Sequence, residues 1–174
     1  MNAQKRSGNE ESMLRIAICD DTVEHGEQLA RALKSIGEEL AVETEIDCYE
    51  SYGDLEKALS LGVGAYRLLV LETAAGGEDG IEFARTWRAR GLLSEVLFFS
   101  ADASRALAAH AAYPMGYIIK PAGRSELRDA FRFVARRYEK KPSLILKGSI
   151  GKQNRDPMKL VHVISGIHTI RRAE

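Results

Sequence analysis

The chain has 174 residues, 25 basic and 25 acidic side chains and a formal net charge of zero. With 45% hydrophobic and 29% charged residues it can bury a core, which excludes an intrinsically disordered chain. No stretch approaches the roughly 20 apolar residues that cross a bilayer, and the polar start, Met1 to Ser12, lacks the apolar core of a secretory signal. The two cysteines, Cys19 and Cys48, lie inside apolar runs and read as reduced, buried thiols of a cytoplasmic protein. The neutrality is a cancellation. Residues 142–174 hold six basic and two acidic side chains, net +4, against 19 basic and 23 acidic side chains elsewhere, net −4.

Residues 1–12 read as a flexible lead. Leu14 to Cys19 alternates apolar side chains and ends on two aspartates, a short buried strand. From Thr22 the period changes: Leu29, Leu33, Ile36 and Leu40 recur at helical spacing. Val42 to Tyr49 alternates again and reads as a strand. Ser51 is placed to cap a helix running to Leu59 and closed by Gly62 and Gly64. Leu68 to Leu71 is a continuous apolar run, as in a strand covered on both faces. A Gly-rich loop, Ala74 to Gly77, leads to a helix from Gly80 to Arg90, stopped by Gly91. Val96 to Phe99 is a strand, Asp102 to Ala112 an alanine-rich helix, and Met115 to Ile119 the fifth strand. Ser125 is placed to cap a final helix with Leu127, Phe131 and Val134 inward. Strands alternating with helices predict an α/β fold, a parallel sheet covered on both faces. Beyond Tyr138 a charged linker leads to two short strands, Leu144 to Leu146 and Leu160 to Ile164, a β-rich fragment separate from the sheet.

In a parallel α/β sheet functional groups gather at the carboxyl edge of the strands. Here that edge collects Asp20 and Asp21, Glu72, Ser100 and Lys120. Carboxylates at such density repel unless a cation lies among them, and hard oxygen ligands suit Mg2+. Ser100 and Lys120 would complete a cradle for a phosphoryl group.

The runs ICDD at 18–21, LLVLE at 68–72, DGIEFA at 79–84, LFFSA at 97–101 and YIIKP at 117–121 together resemble the receiver domain of bacterial two-component response regulators. The resemblance spans about Leu14 to Tyr138. It implies a flavodoxin-like five-stranded parallel sheet, with Asp20, Asp21 and the third-strand acid holding Mg2+. It also implies that Ser100 and Lys120 bind phosphoryl oxygens and that Tyr117 switches rotamer. The Lys120-Pro121 bond is cis in many such domains. Partners implied are a sensor histidine kinase or another signalling protein, with the fourth helix, fifth strand and fifth helix as a homodimer or partner face.

The departure is at the centre. The acceptor position, an aspartate in that family, is Glu72, whose carboxylate reaches about 1.5 Å further along one more carbon. Phosphoryl transfer is mostly positioning, and an error of about 1 Å costs roughly a hundredfold. The expectation is therefore a receiver with impaired or absent phosphorylation, in which Glu72 either ligates a metal or reaches towards Lys120, its outward carboxylate in part imitating a phosphorylated aspartate. Asp79 lies in the following turn and does not replace the acceptor.

The tail runs KPSLILKG at 141–148 and LVHVISGIHTI at 160–170 resemble the start of a LytTR-type DNA-binding output domain. Only 33 residues follow Lys141, so a complete domain of that type does not fit; DNA is a partner only where the output domain is complete. The expected organisation is a flexible segment at 1–12, a receiver domain at 13–139, and a linker with an incomplete LytTR-like fragment at 140–174. The function read from this is a phosphorelay response regulator of a transcription-control family, non-enzymatic and cytoplasmic. One rival is a phosphorylation-independent pseudo-receiver acting as a protein-interaction module. A second, a small flavodoxin-like phosphatase, lacks an Asp-x-Asp pair at a strand end.

Overall fold

Strict alternation in the strands decides which helices cover which face. In β1 (Leu14–Cys19) the residues Leu14, Ile16 and Ile18 pack on one side of the sheet, while Ala17 and Cys19 pack on the other. The same division runs through β3 (Leu68–Leu71) and β6 (Glu95–Ser100). On the first face lie α1 (Val23–Glu39) with Leu29, Leu33 and Ile36, and α5 (Arg124–Glu139) with Leu127, Phe131 and Val134. On the second lie α2 (Tyr52–Ser60), through Tyr52 and Leu55, and α3 (Gly80–Ala89), through Ile81 and Ala84. Each fully buried leucine-sized side chain contributes about 1.5–3 kcal/mol, so these two layers supply most of the driving force.

The computed structural model describes residues 13–61 and 66–139. The chain divides into two compact units, Met1–Pro142 and Ser143–Glu174. The second, with the expected β-rich fragment, lies outside the described residues, as do 1–12, Gly62 and Gly64. With β2 (Thr44–Tyr49) and β7 (Gly116–Ile119), the main sheet has five parallel strands in the order β2-β1-β3-β6-β7. This is the flavodoxin-like α/β architecture expected from the sequence. Among the described residues no helix is long and apolar enough to cross a membrane.

The structure differs from the sequence reading at several places. The loop after β3 contains a two-stranded antiparallel hairpin, β4 (Ala74–Ala75) with β5 (Glu78–Asp79). Its turn residues Gly76 and Gly77 have φ of 61° and 81°, the left-handed conformation a two-residue hairpin turn needs. Two-residue strands leave no periodic signal to read. The helix expected over Asp102 to Ala112 is broken into a 3-10 turn (Ala103–Arg105), α4 (Ala106–Ala109) and a second 3-10 turn (His110–Ala112). Only Ala109 and Ala112 of that stretch are buried, and two methyl groups hold a helix against a sheet weakly.

Ser125 lies inside α5 and is not its cap; Gly123 precedes the helix, and its N–H donates to the Glu126 carboxylate at 2.9 Å, half of a capping box. Ser51 does cap α2, accepting from the Asp54 N–H at 3.2 Å. Cys19 is buried, but Cys48 is exposed, because β2 is the edge strand of the sheet and has a neighbouring strand on one side only.

Candidate functional site

Strand pairing carries one residue beyond the strand ends. The Glu72 N–H donates to the Cys19 carbonyl at 2.9 Å, and the Lys120 N–H to the Ser100 carbonyl at 2.9 Å. This register brings Asp20, Glu72 and Lys120 together at the carboxyl edge. The Lys120 ammonium donates to Asp20 Oδ2 at 2.5 Å and to Glu72 Oε2 at 2.7 Å. All three side chains are largely enclosed, at 12%, 6% and 13% exposure for Lys120, Asp20 and Glu72. Burial disfavours the ammonium, but the two carboxylates outweigh it and hold the Lys120 pKa above its ordinary 10.5. The peptide bond to Pro121 is cis.

The other oxygens of the two acids have local partners. Asp20 Oδ1 accepts from the Thr22 N–H at 3.0 Å, and the His25 ring nitrogen lies 3.9 Å away. Glu72 Oε1 accepts from the Thr73 N–H at 2.8 Å and from the Thr73 hydroxyl at 3.3 Å. The Thr73 and Ser100 hydroxyls share a hydrogen bond of 2.8 Å, and Ser100 also accepts from the Asp102 N–H at 3.1 Å. Ser100 therefore joins the site through Thr73, a residue the sequence reading passed over although it follows the strand-end acid directly.

Asp21 and Tyr117 take partners elsewhere. Asp21 is exposed and accepts the Gly76 N–H at 3.0 Å, holding the hairpin turn. The half-buried Tyr117 donates its hydroxyl to the Asp102 carbonyl at 2.5 Å, and its ring centroid lies 6.0 Å from that of Phe98. Asp102 thus links Tyr117 to Ser100. Below the site, burial pushes the Cys19 thiol up to about 12, with the Asp20 charge adding to it, so this thiol stays protonated and unreactive.

The hairpin over this edge is tied at two further points. Glu78 accepts from the first N–H groups of α2, from Tyr52 at 3.0 Å and Gly53 at 3.3 Å. Asp79 caps α3 through the N–H groups of Ile81 and Glu82 and pairs with Arg105 at 2.5 Å, while Arg105 donates to the Thr73 carbonyl at 3.2 Å. No local pattern announces Arg105, whose partners lie far away in sequence. Burial raises the Asp79 carboxyl, but Arg105 and the two backbone N–H groups outweigh this and hold it below the ordinary 3.8. A depressed carboxyl stabilises the fold above its unfolded value and loses that contribution as pH falls through its folded value. Asp79→Asn is expected to cost about 1 kcal/mol at neutral pH. In urea denaturation the gap to wild type is expected to close as pH falls below 3.8.

Gly80 stands where Tyr52, Glu72 and α3 meet. The Tyr52 hydroxyl donates to the Glu72 carbonyl, and a Cβ on Gly80 would overlap both oxygens. Gly80→Ala is therefore expected to lower unfolding stability by about 2 kcal/mol, read from the urea midpoint. A loss no greater than that of an exposed helical substitution would contradict this close approach.

The residues present do not form a Mg2+ ligand set as placed. The Lys120 ammonium fills the position between Asp20 and Glu72, Asp21 is turned to the hairpin, and among the described residues no three acid, His or Cys side chains converge as metal ligands. The divalent charge that the sequence reading assigned to Asp20, Asp21 and Glu72 is supplied in part by an amine.

No protein-family model and no curated protein sequence matches the chain. Solved structures do. The response regulatory domain of protein mrkE from Klebsiella pneumoniae superposes with a TM-score of 0.64 at 17% identity, covering 72% of this chain and 98% of that one. A response regulator receiver protein from Burkholderia phymatum superposes with a TM-score of 0.60 at 26% identity, covering 70% and 94%. The BeF3-activated DrrB receiver domain superposes with a TM-score of 0.57 at 17% identity, covering 71% and 98%. The fold is thus that of response regulator receiver domains.

Proposed function

We propose that this chain is a receiver-type signalling module of a two-component system whose Glu72 site works without phosphorylation. The observation that carries the reading is the ion cluster: one ammonium bonded to both Asp20 and Glu72 at the edge where receivers of this fold carry their acceptor. A phosphoryl donor approaching Glu72 would have to displace Lys120 and overcome a carboxylate already bonded at both oxygens. Glu72 instead holds a negative charge further out than an aspartate would, next to Lys120. In this reading the chain turns over no substrate and Mg2+ is not a resident ion. It acts in the cytoplasm by binding a histidine kinase or another signalling protein, or a second copy. The exposed Leu107, Ile119 and Phe133 on α4, β7 and α5 support such a face. The resemblance of 140–174 to a LytTR output domain supports a place in transcription control, with DNA as the partner of that domain.

The test is titration with beryllofluoride and Mg2+, followed by amide NMR, with a small phosphodonor and intact mass in parallel. No site-centred shift and no adduct are expected. A stoichiometric phosphoryl adduct on Glu72, or saturable beryllofluoride shifts at Asp20, Glu72 and Ser100, would return the chain to the phosphorylated response regulators.

A further inference from the structure

The stretch Ala103–Ala112 lies on the second face of the sheet as the four-residue α4 between two 3-10 turns. Ala109 and Ala112 are its only buried apolar side chains, and they belong to the cluster that holds Val96 and Phe98 of β6. Leu107, its largest apolar side chain, stands 82% exposed. Two methyl groups bury far less surface than the leucine-sized side chains that fix α1 and α5, so packing holds this stretch far more weakly than those helices.

Both ends are fixed outside it. At the start, the Asp102 N–H donates to the Ser100 hydroxyl at 3.1 Å, and the Asp102 carbonyl accepts from the Tyr117 hydroxyl at 2.5 Å. At the end, Tyr113 has φ of +49°, a conformation bulky residues rarely adopt, and Pro114 follows. Arg88 reaches the Ala112 and Tyr113 carbonyls only at 3.4 Å and 3.5 Å, the long limit of a hydrogen bond. Between these ends Arg105 makes the strong polar tie. Its guanidinium donates to Asp79 at 2.5 Å and to the Thr73 carbonyl at 3.2 Å. Those two acceptors flank the β4–β5 hairpin in sequence and lie about 30 residues away from Arg105 along the chain.

We propose that Ala103–Ala112 is a strap that detaches from the sheet as one unit while the sheet stays folded, with Arg105 as its clasp. Asp102 and Tyr113 are the hinges. Opening breaks the Arg105 contacts and withdraws Ala109 and Ala112 from the apolar face around Phe98. The bonds of Asp102 to Ser100 and Tyr117 lie outside the moving part and survive it. Because the clasp closes on Thr73 and on Asp79, the cap of α3, the position of the hairpin sets how often the strap opens, and opening in turn loosens the hairpin. The inference does not depend on whether Glu72 accepts a phosphoryl group.

The experiment is hydrogen–deuterium exchange of the full-length protein at increasing urea, read peptide by peptide by mass spectrometry. In wild type the strap amides are expected to exchange faster than those of β1 and β3 and with almost no urea dependence, the mark of an opening that exposes little surface. Arg105→Gln is expected to raise strap exchange about fivefold with β1 and β3 unchanged, one part-exposed ion pair and one hydrogen bond being lost. Asp79→Asn is expected to raise it as well, and Arg105→Gln to add less than fivefold on that background, because the two residues share the clasp. Strap exchange with the urea dependence of global unfolding would overturn the detaching unit. Unchanged strap exchange in Arg105→Gln, or an equal rise in β1 and β3, would overturn the clasp. Fully additive effects of the two substitutions would overturn its tie to the hairpin.

Discussion

Lys120→Met is expected to lower the unfolding free energy by about 3 kcal/mol at neutral pH, because it leaves two enclosed carboxylates facing each other without a cation. Asp20 and Glu72 each give one oxygen to the lysine, at 2.5 Å and 2.7 Å, and neither is exposed enough for water to replace it. The sign of the pH dependence follows from the raised ammonium. Its stabilising contribution is complete below the ordinary 10.5 and is lost only as pH rises through the higher folded value. Neutral and mildly alkaline solutions should therefore leave the wild-type cluster intact, while the variant is weaker throughout that range.

Removing the lysine also opens the position between the acids. Millimolar Mg2+ is expected to raise the variant's melting temperature by about 3–5 °C, as a ligand present at ten times its dissociation constant would, and to leave wild type unmoved. Chemical denaturation and thermal melts with and without Mg2+ measure both effects. An equal Mg2+ response in the two proteins would show that the lysine does not hold the place of the ion.

Glu72→Asp is expected to restore phosphoryl acceptance, with a gain of at least about a hundredfold in labelling rate by a small phosphodonor and Mg2+. Shortening the side chain by one carbon withdraws the carboxylate from Lys120 Nζ and from Thr73, the two contacts that now engage its oxygens. It also leaves the ammonium bonded to Asp20 alone, with a donor to spare for a phosphoryl oxygen, the role expected of it from the sequence. Intact-mass spectrometry reads the adduct, and wild type is the zero. If the aspartate variant labels no faster than wild type, the obstacle lies in the pocket around Thr73 and Ser100 and not in the length of the acid.

Much of this site could be read before folding. The residues Asp20, Glu72, Ser100 and Lys120 all end apolar runs, and the parallel-sheet rule places such ends on one edge; the inference needed only strand identity and direction. Glu72 meeting Lys120 was one of two outcomes left open by the sequence, the other being a metal ligand. Less legible was the fate of Asp21, whose neighbour in sequence is Asp20 but whose partner is the Gly76 N–H. That contact depends on a hairpin with strands too short to show alternation. The α4 region failed for a related reason: alanines favour a helix by propensity, but with only Ala109 and Ala112 buried, packing does not enforce one. The edge position of β2 exposes Cys48, and a single strand's sequence does not say whether it lies at the centre or the edge of its sheet.

What the sequence determined by itself is the order and direction of the elements and the identity of the groups at the sheet edge, because period and composition are local properties. What only the tertiary structure decided is who pairs with whom. Strand register set Asp20 and Glu72 around one ammonium, the hairpin took Asp21 and Asp79 for its own anchoring, and Arg88 gave its guanidinium to the carbonyls of Leu92 and Ser94. Each of those outcomes is a competition among polar groups for a limited number of neighbours within about 3 Å, and distances across a fold are not written in the spacing along a chain.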